Sequence, residues 1–66
     1  MKVFIFTIEV SNKIQEIKGV YITLDKANEA LREYKEDNHS INNCYLVVQE
    51  FNTYTQERIE IRRVRV

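Results

Sequence analysis

A chain of 66 residues with ten basic and ten acidic side chains, one cysteine, one glycine and no proline has room for a single domain over residues 1–66. A fold this small buries only about 60% of its unfolded surface, and a lone cysteine excludes the internal disulfide that often compensates. A charged fraction of 30% beside 44% hydrophobic residues excludes a disordered chain, and zero net charge removes the basic excess behind non-specific nucleic-acid binding.

Lys2 to Val10 reads as a strand with Phe4, Phe6, Ile8 and Val10 on one face and Val3 and Ile5 opening the other. Ser11-Asn12-Lys13 is a polar break of hairpin length, and Ile14 to Ile22 returns as a second strand. Strict alternation there puts Ile14, Val20 and Ile22 on one side, and Ile17 and Tyr21 on the other. Gly19 inside this strand marks a bulge or a close backbone approach. Thr23 is placed to cap a helix running to about Asn38, with Asp25 near the positive end of its dipole. Leu24, Ala27, Ala30, Leu31 and Tyr34 form its apolar stripe. Lys26, Glu29, Arg32, Glu33 and Glu36 form a solvated outer face. Asn38 suits a left-handed stop, and residues 38–43 read as a polar loop.

Cys44 to Phe51 is a third strand, with Cys44, Leu46 and Val48 against Tyr45, Val47 and Phe51. After a turn over Asn52 to Gln56, Glu57 to Val66 is the fourth. Its phase breaks: Ile59 and Ile61 share one parity, Val64 and Val66 the other. Either a bulge at Arg62-Arg63 restores them to one face, or the strand leaves this sheet and pairs with another subunit. The fold class is therefore α+β, β-β-α-β-β, an antiparallel sheet with one helix packed on one face. One helix covers one face of such a sheet, yet the first and third strands are apolar on both. A homodimer or higher homo-oligomer is expected to cover the rest, through the helix-free face or by strand exchange at the C-terminus.

Lys2-Val3-Phe4-Ile5, Gly19-Val20-Tyr21-Ile22-Thr23, and a helix holding Lys26-Ala27-Asn28-Glu29-Ala30-Leu31 and Tyr34-Lys35 carry a likeness. Over residues 2–50 the chain resembles a family of small bacterial and phage proteins with a "GVYSS" strand end and a "KAxxAI" helix core. It departs from them in lacking a Pro-Gly segment after the helix and in its arginine-rich last strand. That family has no known function, so the resemblance implies the fold and no site.

Catalytic groups are sparse. His39 and Cys44 are five residues apart with no third group to orient the imidazole, so Cys44 reads as a small buried hydrophobe. One His and one Cys supply half a closed zinc site, Gly19 alone makes no phosphate loop, and the glutamates offer no selected pair. The expectation is no enzyme, no metal and no cofactor.

The distinctive segment is Arg58-Ile-Glu-Ile-Arg-Arg-Val-Arg-Val66, with four arginines, one acid and no lysine. Arginine grips phosphate or carboxylate in two-point fashion, and a tyrosine ring stacks on a base. Arg58, Arg62, Arg63, Arg65, Tyr45 and Tyr54 are therefore the candidate ligand-binding residues, for an anionic or nucleotide-like ligand where subunits meet. The competing reading pairs these arginines with a neighbour's acidic helix, or has them guard an edge strand.

Function follows as a non-enzymatic homo-oligomeric binding protein, of the phage immune-evasion kind that sequesters a nucleotide-like ligand or blocks a host protein. The alternatives are a nucleic-acid-binding accessory protein using the same strand, and a structural assembly or adaptor subunit. Ile, Asn, Lys, Tyr and Phe supply 26 of 66 residues, a bias of AT-rich coding sequence such as low-GC bacteria and their phages carry. The first apolar run is too short for a membrane span and lacks a cleavage site, so a cytoplasmic location is expected.

Overall fold

Antiparallel pairing of apolar strands accounts for most of the chain in the computed structural model, which describes residues 1–11, 13–37 and 44–65, with only the backbone at Gln15. The elements run β1 (Lys2–Val10), β2 (Lys13–Tyr21), α1 (Leu24–Asp37), β3 (Cys44–Asn52) and β4 (Arg58–Arg65). The sheet order is β2-β1-β3-β4 and every pairing is antiparallel. β2 and β3 thus run parallel with β1 inserted between them, and α1 bridges them as the crossover of a split β-α-β unit. The expected stop at Asn38 and the loop 38–43, with His39, lie outside the described residues.

Thr23 caps α1 as its chemistry demands: its Oγ1 accepts from Lys26 N at 3.3 Å, and its carbonyl accepts from Ala27 N at 3.3 Å. α1 lies over β1, β2 and β3, and among the described residues its backbone makes no close approach to β4. Beneath it Phe6, Ile8, Ala27, Leu31, Cys44, Leu46 and Val48 form the core, joined by the partly buried Phe4, Val10, Tyr21, Leu24, Ala30, Tyr34 and Val64. Phe6 meets Tyr34 edge-on, ring centroids 5.9 Å apart. Burying a side chain such as Leu31 contributes about 2 kcal/mol, so these few contacts carry the monomer.

Bulges decide which residues share a face. In β2, Lys18 and Gln15 are extra residues opposite β1, one at each register shift. Each flips the alternation, so Ile14, Ile17 and Val20 all stand on the helix-free side, opposite Glu9, Thr7 and Ile5. That corrects the grouping expected from strict alternation at Ile17, which joins Ile14 and Val20, while Tyr21 lies opposite them on the helix side as expected. Gly19 has the expected close approach, since a Cβ there would lie 2.6 Å from the Tyr21 hydroxyl. In β4 the extra residue is Ile61, one position before the expected Arg62-Arg63 step, and it brings Ile59 and Val64 to the helix side.

The β3–β4 turn is tied down locally. Asn52 Oδ1 accepts from Tyr54 N (2.9 Å) and Thr55 N (3.2 Å), and Gln56 takes a left-handed φ of 63°. Thr53 bonds the Met1 carbonyl through both its amide (2.8 Å) and its hydroxyl (2.9 Å), which fixes the start of β1 beside this turn.

Candidate functional site

The helix-free face of the sheet is a grid that can be read off the pairing. One row across it is Val20, Ile5, Gln49 and Glu60; the next is Ile17, Thr7, Val47 and Arg63; the next is Ile14, Glu9, Tyr45 and Arg65; Val3, Phe51 and Arg58 form the far row. Among these paired residues β2 contributes only apolar groups to this face, and β4 only charged ones.

The β4 half covers itself. Arg63 Nη2 donates to Glu9 Oε1 at 3.0 Å and to Glu60 Oε1 at 2.7 Å, and Nε donates to the same Glu60 oxygen at 3.1 Å. Its guanidinium also stands 5.3 Å from the Tyr45 ring centroid, within cation–π range. The two carboxylates, Glu60 first, hold the Arg63 pKa above its ordinary value. The Glu9 side chain is only 8% exposed, so a buried acid is matched by a basic partner that reaches solvent at one edge. Beneath this cluster Thr7 and Val47 are buried although no helix covers them. The Thr7 Oγ1 has no hydrogen-bond partner.

The β2 half stays bare. Ile14, Ile17 and Val20 are 47%, 61% and 58% exposed, beside the half-buried Val3, Ile5 and Phe51. Scattered exposed hydrophobics are ordinary, but three in line on one strand next to further apolar groups form a patch.

The six candidate ligand residues do not converge. Arg63, Arg65 and Tyr45 share the helix-free face at one end of β3 and β4, and Arg58 lies on the same face at the other end. Tyr54, fully exposed in the turn beyond Arg58, is nine residues along the chain from Tyr45, roughly 25–30 Å along an extended strand. Arg62 points to the opposite side, where it lines a cleft of about 320 Å³ between α1 and β4 with Asp25, Asn28, Glu29 and Arg32. That cleft balances two arginines against two acids. The alternation of a strand explains the scatter: adjacent arginines cannot share a face without a bulge between them.

Sequence reasoning missed Glu9 and Glu60 as members of the Arg63 cluster. The signal available was an acid at an apolar strand's end, Phe-Thr-Ile-Glu-Val, on the parity of Val3 and Ile5. Cys44 is buried in the core. Among the described residues no group of three or more His, Cys, Asp and Glu is arranged to hold a metal ion, and no helix is long and apolar enough to cross a membrane.

Residues 1–62 match the model of a family described as a domain of unknown function, DUF7336, and the chain belongs to that family. No curated protein and no solved structure matches it.

Proposed function

We propose that this chain is a non-catalytic binding module that works as a homo-oligomer through the helix-free face of its sheet. The observation that carries the reading is the bare stripe Ile14, Ile17 and Val20 beside Val3, Ile5 and Phe51, on a face that none of the described elements covers. Its ionisable groups add support of a different kind. Glu9 and Glu60 are both held by Arg63, which suits a scaffold better than an acid–base pair poised for substrate.

Within this reading, retention of an anionic ligand has less support than occupancy by protein. Arg63 already has two carboxylate partners, and Arg62 faces a cleft where Asp25 and Glu29 offset it. With the stripe buried between copies, α1 and the α1–β4 cleft remain outward as the surface for a partner. The module then acts by occupying a target, as a protein that blocks a host factor would.

Native mass spectrometry of undenatured protein tests this. A dimer or higher mass without retained small molecules is expected. A monomer at tens of micromolar would remove the homo-oligomer reading, and an added mass in the nucleotide range would move the proposal to ligand sequestration.

A further inference from the structure

Resting on that homo-oligomer reading, we infer that a second copy of this chain packs its β2 stripe face to face on the first, with the two-fold axis crossing the strands near Ile17. Two facts select the second copy as occupant. Four strands about 4.8 Å apart and about 30 Å long present roughly 30 by 19 Å. With side-chain relief this approaches the roughly 800 Å² per partner of a standard stable interface. The face is also divided by strand into an apolar half and a charged half, and that division restricts how a copy can sit.

Two fully overlapping four-stranded sheets related by a two-fold axis between them, through the middle of the sheet, can be joined in two ways. An axis along the strands lays β2 of one copy on β4 of the other. Ile14, Ile17 and Val20 would then strip water from Arg58, Glu60, Arg63 and Arg65 without offering them partners, which is costly. An axis across the strands lays β2 on β2 and β4 on β4. Apolar groups then meet apolar groups, and the charged strands fall at the wet rim.

A two-fold contact is isologous, so a self-complementary stripe is centred on the axis. The middle of the stripe is Ile17, with Ile14 and Val20 one row to either side. Ile17 therefore meets Ile17 of the second copy, and Ile14 meets Val20. The same operation carries the row of Glu60 onto the row of Arg65, placing opposite charges across the rim. Arg63 falls on the axis row, where each guanidinium approaches its counterpart already paired with Glu9 and Glu60.

Cysteine pairing under mild oxidation tests the arrangement, in a Cys44→Ala background so that the buried thiol cannot interfere. Ile17→Cys alone is expected to give a covalent dimer, and Ile14→Cys mixed with Val20→Cys a covalent heterodimer. Facing sheets about 10 Å apart allow such bridges, as inter-sheet disulfides do. Ile17→Lys is expected to convert the native-mass dimer to monomer with unchanged circular dichroism. Ile59→Lys, exposed on the other side of β4, is expected to leave the dimer intact.

A dimeric native mass with a bridge from Ile17→Cys mixed with Arg63→Cys, and none from Ile17→Cys alone, overturns this packing but keeps the homo-oligomer reading. So does a dimer that Ile59→Lys dissolves and Ile17→Lys does not. A monomeric wild-type mass removes both.

Discussion

The two faces of one sheet solve the same problem in different ways. On the helix side, Phe6, Ile8, Leu46 and Val48 are buried by α1, so water is excluded by apolar contact alone. On the other side, Thr7 and Val47 reach the same burial with no described element over them, beneath the Arg63, Glu9, Glu60 and Tyr45 cluster, while the β2 stripe beside them remains bare. Long charged side chains can roof shorter ones such as Thr7 and Val47 where their charges are paired in place, and short aliphatic ones at a sheet edge cannot roof themselves. Half of the helix-free face is thereby covered by its own side chains and half is bare.

The largest expected break in this comparison is on the covered face. Leu31→Ala leaves a cavity under α1 and is expected to cost about 3 kcal/mol, most of what a chain this small holds. Urea denaturation followed by circular dichroism reads it, and a loss under about 1 kcal/mol would show that α1 is not the main roof.

Arg63→Met is expected to follow. It leaves the buried Glu9 carboxylate without its partner, so the melting temperature should fall further than for Glu60→Gln, whose side chain is 47% exposed. The Arg63 pKa is raised by its partners, so the stabilisation its charge gives is present below its ordinary value and lost only in strong alkali. The difference between wild type and Arg63→Met should thus be flat from about pH 6 to about pH 9. A slope in that window would point to another titrating group.

Thr7→Val reverses the sign. It keeps the branched shape and removes a buried hydroxyl oxygen with no hydrogen-bond partner, so a gain of about 1 kcal/mol is expected. A loss in the same denaturation experiment would mean that the hydroxyl is satisfied after all. The smallest effect on folding should come from Ile17→Ala, exposed in the single chain and expected to shift dilute-solution stability by under about 0.5 kcal/mol. If the proposed dimer forms, the same variant should flatten the concentration dependence of the melting temperature.

Much of the fold was legible from local pattern. The Thr23 cap, the helical stripe from Leu24 to Tyr34 and the alternation of Phe4, Phe6 and Ile8 each need only neighbouring residues, and all stand where their spacing places them. Even the phase break in β4 was readable as a bulge, found at Ile61 one residue before the expected step. β2 was less legible. Its two extra residues leave no mark except a period that two shifts restore, so Ile17 was assigned to the wrong side.

The candidate site was read least well. Four arginines close in sequence suggested one cluster, but alternation and the Ile61 bulge send Arg62 toward α1 and Arg63 toward Glu9. The partner that defines Arg63 lies 54 residues away in the chain, and only the pairing of β1 and β4 with β3 brings it near.

What the sequence determined by itself is therefore the set of elements, the composition of the core and the surplus of apolar side chains over one helix's reach, because these follow from short-range periodicity and counting. What only the tertiary structure decided is the strand order β2-β1-β3-β4, the face taken by Ile17 and the partners of Arg63. These depend on bulges and long-range pairing, where one inserted residue turns every later side chain to the opposite face.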